Sequence, residues 1–146
     1  MALADNAFPL MQRVRQQLHR APLEPGRIPD AVHQGFQRAS VAGRLRVGMR
    51  VAIGAGSRGI SRYAEVVKAT VDAVKALGCE PFIFPAMGSH GGATGPGQAE
   101  LLAGWGITPQ AMGCAIRSAM TVVELGRTAK GVPVYLDQYA DRKSVV

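Results

Sequence analysis

The chain has 146 residues, of which 47% are hydrophobic and 18% charged, and its formal net charge is +7. This composition excludes a disordered chain, and the length allows one domain with a sizeable core but is short for a two-domain enzyme. No apolar run approaches the ~20 residues of a membrane span and the N-terminus lacks the apolar core of a signal peptide, so we expect a cytoplasmic protein with no membrane partner.

Basic charge is concentrated in the first 50 residues, which hold eight arginines against three carboxylates, a net +5. A basic segment can bind nucleic acid, an anionic membrane or an acidic partner. These arginines are spread through helical patterns, without a tight cluster or interleaved aromatic residues. The pattern therefore favours a solvated or inter-domain surface, with no nucleic-acid partner.

Residues 1–45 are predicted to be a helical segment that packs on the core. Leu10, Val14 and Leu18 recur on one helix face, and the prolines between Pro22 and Pro29 end that pattern. A second helix is predicted from about Asp30.

Residues 46–146 are predicted to alternate between strands and helices. Arg50–Ile53 and Pro81–Pro85 have the composition of buried strands. The helix between them is predicted to be capped by Ser61, to be closed by Gly78 in a left-handed conformation, and to bury one apolar face, made by Tyr63, Val67, Val71 and Val74.

The second half of this region continues the pattern. Thr94 is predicted to cap a helix around Gln98–Ala103, and Thr108 a further helix, while Thr121–Leu125 and Val132–Leu136 resemble strands joined by a turn. The alternation predicts an α/β fold, a Rossmann-like three-layer domain with a mostly parallel sheet and right-handed crossovers.

The first candidate site is the glycine-rich loop from Gly54 to Ser61, between a strand and a helix N-terminus. Such loops bind anions because helix-end N–H groups and glycine backbone can approach a ligand closely. Arg58 adds a permanent cation whose planar fork fits a carboxylate, and Ser57 adds a hydroxyl. The alternative is a tight turn with a surface arginine.

The same loop matches the dinucleotide-binding fingerprint through Gly54, Gly56 and Gly59. That fingerprint expects an acidic residue near the end of the second strand, where it binds the ribose. Glu80 lies at about the right sequence distance but at the wrong end of that strand. A nucleotide-binding module therefore stays open as the alternative function.

The second candidate site is the loop from Pro85 to Gln98, which follows the neighbouring strand. His90 is its only histidine, and an exposed imidazole suits proton transfer near neutral pH. Ser89 and Thr94 offer hydroxyl groups. The alternative is a histidine that only satisfies loop carbonyls. Because parallel strands end at one edge, we expect Arg58 and His90 to line one electropositive pocket.

Four other residues of reactive types are predicted to be structural. His19 and His33 lie in helical patterns, and Cys79 and Cys114 lack metal-ligand spacing. The cysteines are predicted to be reduced, partly buried thiols, and no metal site is predicted in this chain.

Several segments resemble the N-terminal domain of the lactate racemase family, above all its racemase-like branch. The most specific is Pro85–Thr94 (PAMGSHGGAT), preceded by Ser57–Ile60 and followed by Gly95–Gln98. Weaker likenesses follow at 106–108, 116–120 and 122–126. The resemblance covers roughly residues 45–140.

The resemblance implies one of two α/β domains, with the active site between them, so the chain alone would be an incomplete catalyst. It implies an isomerase that acts on a 2-hydroxy acid or related small carboxylate, with a nickel pincer nucleotide held mainly by the C-terminal domain. Arg58, with Ser57 and Ser89, would bind the substrate carboxylate, and His90 would transfer a proton. The residues assigned to the cofactor side are Gly56, Gly59, Gly88, Gly91, Gly92 and Thr94. Ala55 stands where lactate racemases have an aspartate, and Gly59 where they have a proline.

Overall fold

The computed structural model describes residues 22–38, 41–57 and 59–141, together with the single residues 13, 15 and 17. The described helices are α1 (Ile28–Arg38), α2 (Tyr63–Ala76), α3 (Gly95–Gly104) and α4 (Pro109–Met112). The strands are β1 (Arg50–Ala55), β2 (Glu80–Pro85), β3 (Ala115–Ile116), β4 (Val122–Arg127) and β5 (Pro133–Asp137). Short 3-10 turns occur at Pro25–Arg27, Ala42–Arg44 and Gly91–Ala93.

A parallel sheet with the order β1-β2-β3 organises the fold. Its register runs from Arg50 opposite Glu80 to Ala55 opposite Pro85. The predicted α/β class and the parallel pairing of the first two strands are thus confirmed. Strands β4 and β5 form a separate antiparallel ribbon, with an irregularity in the register between Glu124 and Gly126.

The hydrophobic core lies between the sheet and the helices. A single cluster combines residues of β1, β2 and helices α2 to α4 with Met87 and Ile107: Ala55, Val67, Val71, Ile83, Met87, Leu102, Ile107 and Met112. Because α2, α3 and α4 share this cluster, they cover the same face of the sheet. Helix α1 packs against α2 on that side.

The opposite face of the sheet is covered differently. Phe82 alternates with Ile83 along β2 and so points to this face, where it is only 3% exposed. The guanidinium carbons of Arg50 and Arg117 each lie 5.5 Å from the centre of its ring, and Arg117 also lies 5.2 Å from that of Tyr139. None of the described helices lies on this face, since α2, α3 and α4 share the core cluster and α1 packs against α2.

The helix boundaries confirm most of the predicted caps. Thr94 and Thr108 accept hydrogen bonds from the first turns of α3 and α4, and Gly78 has φ +74°. The predicted Ser61 cap is wrong: Arg62 takes a left-handed φ of 55°, which delays the start of α2 to Tyr63.

The predicted N-terminal helix falls on residues that are mostly outside the described ranges. Leu10, Val14 and Leu18 are not described, and Arg13, Arg15 and Gln17 are exposed and not helical. The second predicted helix is confirmed as α1. In the part of the chain that the structure describes, no helix has the length and apolar character needed to cross a membrane.

Candidate functional site

The two glycine-rich loops leave the same edge of the sheet, as predicted. Ala55 ends β1 and Pro85 ends β2, and the two residues are opposite each other in the parallel register. The Ala86 N–H extends this pairing by donating to the Ala55 carbonyl oxygen at 2.7 Å. The segments 56–62 and 86–94 therefore start side by side.

The first loop is attached to helix α2 through a tyrosine. The Tyr63 hydroxyl donates to the Gly56 carbonyl oxygen at 3.1 Å, and burial of the ring raises the pKa of Tyr63 above its usual value. Ser57 is half-buried and Gly59 is exposed. Arg58 lies outside the described residues, so its predicted position in one pocket with His90 stays a prediction.

The second loop presents Ser89 and His90 to solvent. Gly88, Gly91 and Gly92 all have positive φ, of 59°, 63° and 66°, which explains why glycine occupies these positions. Within residues 59–141 and the other described parts, the N–H groups of these three glycines and of Ser89 have no hydrogen-bond acceptor. They offer donors that an anion can use.

A buried glutamine holds the second loop in place. Gln98 of α3 is 3% exposed, and its amide nitrogen donates to the carbonyl oxygens of Gly88 at 2.7 Å and His90 at 3.3 Å. The backbone on both sides of Ser89 is thereby tied to a helix. The His90 side chain is exposed while the backbone that carries it is anchored.

Two glycines bring the same loop into direct contact with α3. A Cβ atom on Gly91 or on Gly97 would clash with the backbone of the other residue. Thr94 bridges them, because its Oγ1 accepts from the Gly97 N–H and donates to the Gly91 carbonyl oxygen, both at 3.1 Å. Thr94 is therefore a structural cap in this geometry.

A pocket of about 460 Å³ opens beside this loop. Its lining comes from the loop, from α3 and from the residue that caps the C-terminus of α3: Gly91, Gly97, Glu100, Leu101, Gly104 and Trp105. The Trp105 ring meets the Tyr63 ring edge to face, with 6.0 Å between the ring centres. This aromatic pair links the pocket to the residue that holds the first loop.

A larger cavity of about 630 Å³ lies elsewhere, between α1 and α2. Its walls include Ile28 and His33 of α1 and several alanines of α2. None of the predicted site residues lines it. His33, which shares a hydrogen bond with Gln37 at 3.1 Å, has no link to the two loops.

Reactive groups elsewhere do not add to the site. Among the described residues, no three His, Cys, Asp or Glu side chains are grouped so that they could hold a metal ion. Cys79 is buried and Cys114 is half-buried, both are free thiols, and burial raises the pKa of Cys114. Glu80 begins β2 and so lies at the sheet edge opposite to the loops.

Sequence reasoning missed three residues that shape the site, namely Tyr63, Gln98 and Trp105 as contacts of the loops. The sequence places Tyr63 on a helix face, and Gln98 at the end of the second loop and in the helix that follows, and it predicts no loop contact for either side chain. The available signal for Gln98 was its position one helical turn after the capping residue Thr94, where a polar side chain can reach back to the loop. No protein-family model matches the chain, and no curated protein or solved structure matches it either.

Proposed function

We propose that this chain is the carboxylate-binding, proton-transferring domain of a racemase or epimerase that acts on a 2-hydroxy acid or a related small acid. The observation that carries the proposal is the placement of His90. Its exposed side chain stands on an anchored loop, at the sheet edge where the first glycine loop also begins. We assign the domain to the Rossmann-like folds on the parallel order of β1, β2 and β3.

His90 is the proposed base. Histidine is the side chain whose charge changes most readily near neutral pH, and proton transfer requires it within hydrogen-bond reach of the substrate. A fixed backbone with an exposed ring favours this, since little reorganisation is needed when a ligand arrives. Ser89, its neighbour, supplies a hydroxyl at the same place.

The substrate carboxylate is assigned to the donors around His90. The N–H groups of Gly88, Gly91 and Gly92 have no acceptor among the described residues and can hydrogen-bond an anion, and Ser57 adds a hydroxyl from the first loop. The resemblance adds Arg58 as a bidentate partner for the carboxylate. Backbone N–H groups, a hydroxyl and a guanidinium are all hydrogen-bond donors, and together they can bind the carboxylate of a small acid.

Racemisation needs a second group that delivers the proton from the opposite side. Among the described residues at this edge of the sheet, His90 is the only histidine. We therefore assign the second proton-transfer group to a second domain. The resemblance assigns the nickel pincer nucleotide mainly to that other domain. The chain does not fit the ribose of this nucleotide, because Ala55 is fully buried and its side chain carries no hydrogen-bond acceptor.

The alternative, a dinucleotide-binding module, has less support from the geometry. Gly54 lies inside β1 opposite Phe84, whereas the fingerprint uses its first glycine for the turn. Helix α2 begins at Tyr63, four residues after Gly59, so the third glycine does not open the helix. Strand β2 ends with Phe84 and Pro85 and is followed by Ala86, so there is no carboxylate for a ribose.

The proposal can be tested on the chain itself with lactate and longer 2-hydroxy acids. Titration should shift the imidazole Hε1 NMR signal of His90, which His90→Ala identifies by its loss. The His33 signal, identified with His33→Ala, should not move. Saturable shifts at His90 would support a carboxylate site. Shifts of equal size at both histidines, or binding of NAD in preference to the acids, would overturn the proposal.

A further inference from the structure

We propose that the pocket lined by Glu100, Gly104 and Trp105 binds an alkylammonium group. The pocket adjoins His90 through Gly91, but its own groups are different in kind from the anion-binding donors of the loop. The inference does not rest on the proposed function.

The helical register brings the required groups together. Glu100 lies one turn before Gly104, and Leu101 lies one turn before Trp105, so the two pairs form neighbouring rows at the C-terminal end of α3, where Trp105 is the cap residue. A ligand above Gly104 would therefore have the Glu100 carboxylate on one side and the indole ring on the other. Leu101 supplies an apolar surface for alkyl groups.

Gly104 has no structural reason to be a glycine. It is the last residue of α3, its φ is not positive, and a Cβ atom there would meet nothing within 4 Å. Glycine in a helix is unfavourable compared with alanine. Gly106, with φ +79°, takes the left-handed position that follows the helix. The missing side chain at Gly104 instead keeps open the space between Glu100 and Trp105.

The electrostatics of the pocket favour a cation. Among the described residues, Glu100 is the only charged residue of the lining, and no ion pair with a lysine or arginine is found for it there. Trp105 is 39% exposed, and indole has the aromatic face most attractive to cations. The Tyr63 ring packs against the indole ring with the two ring planes inclined by 63°. A volume of about 460 Å³ accommodates a small ligand.

The single tryptophan of the chain makes the test direct. Choline is the probe, and its uncharged isostere 3,3-dimethylbutan-1-ol is the matched control. Trp105 fluorescence and the one indole N–H signal in NMR spectra should titrate with choline, with a dissociation constant on the order of 1–10 mM. Binding of the alcohol should be weaker by about fivefold or more. Potassium chloride at equal ionic strength should leave both signals unchanged.

Variants separate this site from the loop. Glu100→Gln should weaken choline binding, and Gly104→Ala should weaken it by filling the pocket although it favours the helix. His90→Ala should bind choline as the parent chain does, so failure of the proposed function would leave this result intact. The inference is overturned if the alcohol binds as well as choline, if Glu100→Gln has no effect, or if choline does not bind at about 100 mM.

Discussion

The side-chain amide of Gln98 lies 2.7 Å from the carbonyl oxygen of Gly88, and the Gln98 side chain is buried. The same nitrogen reaches the His90 carbonyl oxygen at 3.3 Å. One side chain of α3 therefore donates to two backbone acceptors of the loop, and the second of them also accepts from the Ala93 N–H at 3.2 Å. Replacement of Gln98 should loosen the loop more than it loosens the sheet.

Gln98→Ala should destabilise the chain by about 1–3 kcal/mol. The Gly88 carbonyl group loses its donor, the His90 carbonyl group keeps only the Ala93 N–H, and a cavity remains. The loss should be concentrated in the loop. Hydrogen exchange measured by mass spectrometry should become faster in residues 88–94, while exchange in β1 and β2 changes little.

Gln98→Glu is the matched control, since it keeps the shape but replaces the donor with an acceptor. It should loosen the loop at least as much as Gln98→Ala at neutral pH. If exchange in residues 88–94 stays at the parent rate in both variants, the glutamine does not anchor the loop.

Two glycines of α3 should respond to alanine in opposite directions. Gly97→Ala places a methyl group against the Gly91 backbone, and we expect it to lower the free energy of unfolding by about 1–3 kcal/mol. Gly104→Ala meets open space and should raise it by up to about 1 kcal/mol. Urea unfolding followed by circular dichroism measures both. Equal effects of the same sign would contradict the close contact between Gly91 and Gly97.

Tyr63 should make the chain less stable in alkali. Burial raises the pKa of its phenol above the usual 10.0, so the folded state disfavours the ionised form. The contribution of the neutral Tyr63 phenol to the free energy of unfolding is complete below pH 10. It is lost as the pH rises through the higher pKa of Tyr63 in the folded state. Between about pH 9 and pH 11, the free energy of unfolding measured with urea should therefore fall less for Tyr63→Phe than for the parent chain. A parallel decline in both proteins would refute this.

The first half of the domain could be predicted because its signals are local. Val67 and Val71 recur at helical spacing, and the strand residues from Arg50 and Pro81 form short apolar runs, so strands and helix were found close to their true bounds. The Ser61 cap was wrong because the left-handed Arg62 is a backbone choice that side-chain type does not reveal. Strand β3 has two residues, too few for any periodicity.

The site was predicted only in outline. The loops and His90 follow from the rule that parallel strands end at one edge. The anchoring by Gln98 and the pairing of Tyr63 with Trp105 could not be predicted, because they join residues through tertiary contacts between separate elements. Local sequence patterns carry no information on which helix face meets which loop.

The ribbon of β4 and β5 should make the chain self-associate. Leu125, Val134 and Tyr135 are 56%, 42% and 54% exposed on a two-stranded sheet. Exposed apolar patches and unpaired strand edges promote association. Sedimentation velocity should show species larger than the monomer that increase with protein concentration.

Leu125→Lys combined with Val134→Lys should shift the population towards the monomer. Met49→Lys is the control, because Met49 is also exposed but precedes β1. A parent chain that stays monomeric over a hundredfold range of concentration would disprove the role given to the ribbon.

The separation of the ribbon from the parallel sheet also sets the order in which the chain can fold. The ribbon joins residues as near in sequence as Arg127 and Pro133, whereas pairing of β1 with β2 joins Arg50 with Glu80 across a whole helix. Hairpins form in about 1–10 μs, and contacts between distant residues form more slowly because longer loops must close first. During refolding, the apolar ribbon should therefore be present before the sheet and its core exist. The yield of refolded protein should fall steeply as its concentration rises.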